Sequence, residues 1–98
     1  MCVDIKKIKA KKFSKNFNAE YSNNHKDILK VKNIDLVIIL TPSGLHYEHC
    51  RYFLNNNINV LVEKPPAMKT SQIKKLLKIS ETNNLLFCVA YQNRLNNS

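Results

Sequence analysis

Three short polar clusters interrupt the apolar second half of this chain, and they hold the side chains best suited to chemistry. They are Thr41-Pro42-Ser43, Glu63-Lys64-Pro65 and Gln92-Asn93-Arg94. Lys64 stands out because Pro65 and Pro66 follow it. Proline fixes φ, so the backbone beyond the lysine is stiff and its position well defined. An ammonium held there can donate a hydrogen bond to a substrate hydroxyl, and a neutral amine can take the hydroxyl's proton. Any one of these clusters is what a buried strand commonly ends on, and a lone lysine is as readily a solvated surface residue. Only if the three meet do they make a site, so the elements between them decide the question.

Asp35-Leu36-Val37-Ile38-Ile39-Leu40 is an unbroken, largely β-branched apolar run, which suits a strand buried on both faces in a parallel sheet. Thr41-Pro42-Ser43-Gly44 ends it, with Ser43 placed to cap a helix. Residues 45–56 carry Leu45, Cys50, Phe53 and Leu54 on one side and Glu48, Arg51 and Asn55 on the other, the pattern of a helix covering a sheet. A second strand, Asn59-Val60-Leu61-Val62, runs into Glu63-Lys64-Pro65-Pro66. A helix opening at a Thr70-Ser71 cap spaces Ile73, Leu76, Leu77 and Ser80 three or four apart. Leu85 to Ala90 reads as a third buried strand. Before residue 35 the signals are weaker. Ala10, Phe13 and Phe17 suggest a helix over 6–17, Ala19–Ser22 a short strand, and Lys26–Val31 a short helix.

Strands alternating with helices through short connections predict an α/β fold, a doubly wound parallel sheet with right-handed crossovers. In such a sheet, ligands bind beyond the carboxyl ends of the strands. All three polar clusters fall at those ends, and parallel strands bring them to one edge. The helix that follows Ser43 turns its unpaired N–H groups to the same edge, where anionic groups are held.

Other chemistries find less support. His46, Glu48, His49 and Cys50 include a His pair at i and i+3, but no second ligand pair accompanies it and His25 is isolated, so no metal site is expected. His46 falls on the inward side of its helix's first turn, which fits either a core histidine or a ligand contact. Ser43 precedes Gly44 without a GxSxG elbow or an acid–His pair, so nucleophilic catalysis is not expected. Cys2, Cys50 and Cys88 form no CxxC and read as reduced thiols.

The chain has 98 residues, 44% of them hydrophobic, which allows one small globular domain. No apolar run is long enough to span a bilayer, and the first residues lack the pattern of a secretory signal. A soluble, cytoplasmic protein is the expectation. Net charge is +9, and residues 1–33 hold nine lysines against three acidic residues, a net +6. Such a basic end could meet nucleic acid. Its lysines surround one helix without interleaved arginine, which favours a solvated face, and nucleic-acid binding is not expected.

The stretch from Ile34 to His46, followed by Val60-Leu61-Val62-Glu63-Lys64-Pro65, resembles the Gfo/Idh/MocA oxidoreductases. The ending Tyr91-Gln92-Asn93-Arg94-Leu95-Asn96 resembles the branch acting on sugar nucleotides in surface-polysaccharide synthesis. The resemblance implies a Rossmann domain that binds NAD, with NADP as the alternative, followed by a substrate domain. It implies a catalytic and substrate-binding role for Lys64, substrate contacts for Asn93 and Arg94, and cofactor contacts for Thr41, Pro42, His46, Glu63 and Lys64. Val3-Asp4-Ile5 resembles the end of the family's second strand, where Asp4 would bond the adenosine ribose hydroxyls and favour NAD.

Measured against the family, residues 1–98 make a partial Rossmann domain lacking its first strand and Gly-rich phosphate loop, since the sole glycine is Gly44. The substrate domain is absent as well. The implied activity is hydride transfer from a ring carbinol of a sugar or sugar nucleotide, the chain being the product of a split, frameshifted or truncated gene and, if split, completed by a complementing chain that carries the missing parts. By itself this polypeptide is expected to bind dinucleotide poorly and to turn nothing over. The competing expectation is a non-catalytic nucleotide-binding or interaction module that kept the fold and lost the chemistry.

Overall fold

The computed structural model describes residues 1–90. They divide into two compact units, Met1–Asn33 and a second that begins at Ile34. Both are α/β with parallel strand pairing.

In the first unit, β1 (Cys2–Val3) pairs in parallel with β2 (Tyr21–Ser22), and α1 (Lys7–Lys15) joins them. A 3-10 turn follows over His25–Lys30. Its core is small. Ala10 and Ser14 are the buried positions of α1, whereas Phe13 and Phe17 are exposed and stack on each other with centroids 5.1 Å apart. The expected apolar stripe therefore shifts to the smaller side chains, which let α1 approach the short strands. Ser22 is buried, and its hydroxyl donates to Asp27 Oδ2 over 2.5 Å while Lys30 Nζ lies 3.1 Å from Oδ1. The Ser22 hydrogen bond and then Lys30 hold the Asp27 carboxyl below the ordinary carboxylate value.

The second unit holds β3 (Leu36–Ile39), β4 (Asn59–Glu63) and β5 (Phe87–Ala90), in that spatial order and all parallel. Two crossover helices join them, α2 (His46–Asn55) and α3 (Thr70–Thr82). Val37, Ile39, Val60 and Val62 are buried beside Cys50, Phe53 and Leu54 of α2 and Leu76 of α3. Both helices therefore cover one face of the sheet. Leu36 and Ile38 are 41% and 56% exposed, so β3 is covered on one side and not on both, as its unbroken apolar run suggested. Among the described residues, no helix is long and apolar enough to cross a membrane.

The helix starts differ from expectation. Ser43 does not cap α2, because Ser43–Leu45 form a 3-10 turn closed by Leu45 N–H to the Pro42 carbonyl, and Leu45 takes the cap position. Leu45 itself is exposed, and His46 takes its place on the inward face of the helix. Thr70 is the first residue of α3, not its cap; extended Lys69 precedes it without a side-chain cap bond.

The helix ends share one device. Asn18, Asn57 and Asn84 adopt positive φ just beyond α1, α2 and α3. The next residue's N–H then returns to the helix: Ala19 to Ser14, Ile58 to Phe53 and Leu85 to Ser80. Glycine usually fills this left-handed position, and asparagine is the side chain that best tolerates it. Beyond α2, Asn59 straps the sheet. Its Nδ2 donates to the Asp35 carbonyl and its Oδ1 accepts from Leu86 N–H, each at 2.9 Å.

Two outcomes are expected. Asn57→Ala destabilises the chain by about 1 kcal/mol, the cost of a left-handed L-residue without a polar side chain, and Asn57→Gly does not; denaturant titration measures both. Asp27's depressed pKa contributes stability that is present above the ordinary carboxylate value and lost as pH falls through the folded value. Ser22→Ala moves the Asp27 midpoint upward in a carboxyl-carbon NMR titration.

Candidate functional site

Parallel register decides where the polar clusters stand. Ile39 of β3 pairs with Val62 of β4, and Glu63 of β4 pairs with Ala90 of β5, so the three carboxyl ends form one edge. Thr41 and Pro42 follow β3 at that edge, and Lys64 follows β4. Thr41, Pro42 and Lys64 are exposed and Glu63 is half-buried. The structure thus brings Thr41, Pro42, His46, Glu63 and Lys64 to one end of the second unit. Asn93 and Arg94 lie outside the described residues.

The main chain at this edge is tied down from several directions. Lys64 N–H donates to the Ala90 carbonyl at 3.3 Å, joining the end of β4 to the end of β5. The Lys64–Pro65 peptide is cis. His46, only 2% exposed, places Nδ1 2.7 Å from the Pro65 carbonyl and Nε2 2.5 Å from the Thr41 carbonyl. One helical turn on, His49 Nδ1 lies 3.1 Å from Thr41 Oγ1. Residues three apart share a helix face, so both histidines of α2's first turn reach Thr41.

At His46 the sequence allowed both a core role and a ligand contact, and the ring is buried here. Both ring nitrogens face main-chain carbonyls. The Pro65 carbonyl as a partner had no sequence signal, because a main-chain acceptor leaves no trace in residue type. His49 had a faint one, its spacing from His46. Among the described residues, no three His, Cys, Asp or Glu side chains converge as metal ligands would.

The edge has open space at its one glycine. A Cβ built on Gly44 meets nothing within 4 Å, and Gly44 does not have positive φ. Among the described residues, neither backbone conformation nor packing requires glycine there. Gly44 sits in the 3-10 turn leading into α2, whose cap residue makes no side-chain bond to the first helical N–H groups. A flat or anionic group could approach that backbone closely.

In the first unit, Asp4 follows β1 and is half-buried. Its N–H donates to the Ser22 carbonyl at 3.1 Å, and its Oδ1 accepts from Lys6 N–H at 2.8 Å. The carboxylate is thereby fixed at a strand's carboxyl end. Cys50, by contrast, is no nucleophile. Burial pushes its thiol up to about 12.

Comparison with known proteins finds a matching family and related structures. The model of the Gfo/Idh/MocA oxidoreductase family, with its NAD-binding Rossmann fold, matches residues 1–91. An uncharacterized oxidoreductase of Schizosaccharomyces pombe is 38% identical over 68 residues, covering 69% of this chain and 18% of the relative. The scyllo-inositol 2-dehydrogenase (NADP(+)) IolW of Bacillus subtilis is 31% identical over 80 residues, 82% of this chain and 22% of that protein. The crystal structure of the WlbA dehydrogenase from Bordetella pertussis, in complex with NADH and UDP-GlcNAcA, superposes with a TM-score of 0.85 at 26% identity. It covers 96% of this chain and 27% of its own. The chain therefore spans about a quarter or less of the length of these relatives.

With its pKa near 12, Cys50 should resist iodoacetamide at neutral pH in the folded chain and react once denaturant exposes it. Peptide mapping of the alkylated chain, with Cys2 as the internal comparison, measures the difference.

Proposed function

This chain belongs to the Gfo/Idh/MocA oxidoreductases, with their NAD-binding Rossmann fold, and on that footing we propose that it forms the later part of the cofactor domain of a sugar-oxidising dehydrogenase. The substrate is a sugar, polyol or sugar nucleotide, and the reaction takes hydride from a ring carbinol. IolW, named for an inositol, and WlbA, solved with a nucleotide sugar, support that substrate class. One observation carries the reading: an exposed lysine on a tethered turn, set at the common carboxyl edge of three parallel strands.

In this reading Lys64 is the catalytic residue contributed by the chain. It meets the substrate hydroxyl, donating to its oxygen or taking its proton as hydride leaves the same carbon. The dinucleotide, when bound, supplies the hydride acceptor. Thr41, Pro42 and Glu63 would line the side on which it is held, with His46 buried behind them and reaching it only through the main chain of Thr41 and Pro65, and the open space at Gly44 would let it approach the backbone. Asp4 accepts from the adenosine ribose hydroxyls, and its negative charge repels a 2′-phosphate, so NAD is the preferred cofactor. Asn93 and Arg94 contact the substrate. The glycine-rich phosphate turn and the substrate domain come from sequence beyond these residues, on the same polypeptide or a complementing one, and the assembled enzyme works in the cytoplasm.

A chimera tests this. Residues 1–98 replace their counterparts in the Bordetella WlbA dehydrogenase, and NAD-dependent oxidation of the nucleotide sugar is followed at the NADH absorbance. Lys64→Met in the chimera should lower kcat by about 100-fold or more, the usual contribution of a positioned acid or base. Full activity in that variant would remove Lys64 from the chemistry. Gly44→Val should raise the KM for NAD while leaving the unfolding midpoint within about 0.5 kcal/mol of the parent, as expected where the new side chain meets open space. A KM unchanged by that substitution would place the dinucleotide elsewhere.

A further inference from the structure

We infer that His46 is a positioning residue whose ring ties the loops after β3 and β4 to each other, and that through Pro65 it fixes where Lys64 stands. The inference rests on the proposed function only for the use made of Lys64; the tie itself rests on geometry.

The ring's two partners are both acceptors, the carbonyls of Thr41 and Pro65. A carbonyl offers only lone pairs, so each bond needs a hydrogen on the ring nitrogen that faces it. The ring closes both bonds when both nitrogens donate, and only one when a single nitrogen carries hydrogen. An apolar side chain of similar volume would fill the same buried position and close neither. What the sequence places at 46 is therefore more than core filling. Its ring lies between two strand ends that the sheet ladder does not itself join at this level.

Lys64 stands between two anchors. Its own N–H is held by Ala90 of β5, and the carbonyl of the next residue is held by His46. A rotation of the Lys64–Pro65 segment would break one or the other. Thr41, across the edge, is held by the same ring at its carbonyl and by His49 at its hydroxyl. One side chain thus spans from the β3 turn to the residue after the lysine. In hydride transfer, a small displacement of a positioning element costs far more rate than binding.

The test uses the 98-residue chain, isotopically labelled, with no ligand. In the wild type, each His46 ring nitrogen that carries hydrogen should show a coupling across its hydrogen bond to the carbonyl carbon it faces, that of Thr41 for Nε2 and that of Pro65 for Nδ1. A ring N–H without that coupling overturns the inference. In His46→Leu, amide exchange at Leu45 and Lys64 should quicken by at least tenfold while Val62 and Leu76 keep their protection. In His46→Gln, which has one donor group, one of the two turns should regain it. Faster exchange spread evenly through the second unit, in both variants, would make His46 an ordinary core residue and also overturn the inference. Should the leucine variant fail to fold, the wild-type couplings and the glutamine variant still decide. None of these readouts involves sugar or dinucleotide. An active Lys64→Met chimera would thus remove the proposed reaction without touching the tie, and a missing coupling would remove the tie without touching the reaction.

Discussion

Everything at the candidate site depends on β3, β4 and β5 running parallel. Antiparallel strands would alternate their ends between two edges and separate Thr41, Lys64 and Ala90. Parallel pairing requires a crossover between each pair of strands, and α2 and α3 supply it. Both lie on the same face, over Val37, Ile39, Val60 and Val62. Burial of those four side chains against Phe53, Leu54 and Leu76 stabilises the very register that aligns the carboxyl ends. Core and site are thus two ends of the same strands.

Hydrogen bonds then fix what hydrophobic burial leaves loose. Burial is non-directional and ends with the last inward side chain of each strand, at Ile39 and Val62. Beyond those residues the loops could settle in many ways. Asn59 closes the amino end of the sheet with two bonds to neighbouring strands, and His46 closes the carboxyl end with two bonds to the loops. Each is a single side chain reaching two main-chain segments. Among the described residues, no buried side-chain nitrogen or oxygen lacks a partner, so directional bonding is satisfied wherever it enters the interior.

Much of this was legible in the sequence, for identifiable reasons. The β-branched run before Thr41 and the apolar run before Glu63 mark strands because few other structures use them. The spacing of the TP and EKP turns carried the family. The strand's second face was not legible. An unbroken apolar run suits burial on both sides, yet Leu36 and Ile38 are exposed while Val37 and Ile39 are covered. Side-chain type alone does not reveal which neighbours are present. Cap positions failed for a local reason: a 3-10 turn inserted after Pro42 moves the helix start past Ser43. In α1 the two phenylalanines looked like the core stripe, but they stack outward on each other and leave the contact to Ala10 and Ser14. Lys64 was visible as a stiffened lysine at a strand end, whereas the carbonyl of Pro65 that anchors it was not.

Glycine usage makes a related point about how the chain divides its labour. Three helix ends need a left-handed residue, and asparagine serves at all three. The one glycine is placed where φ is ordinary and a Cβ would find room. Conformation therefore does not account for Gly44, and neither does packing among the described residues. What glycine adds at such a place is bare backbone, and bare backbone matters to a group that must come close from outside. Gly44 stands in the turn that leads into α2, just beyond Thr41, whose carbonyl His46 holds. His46 thus holds the main chain on both sides of this edge, at Thr41 and at Pro65, while the side chains of Thr41, Pro42 and Lys64 stay exposed.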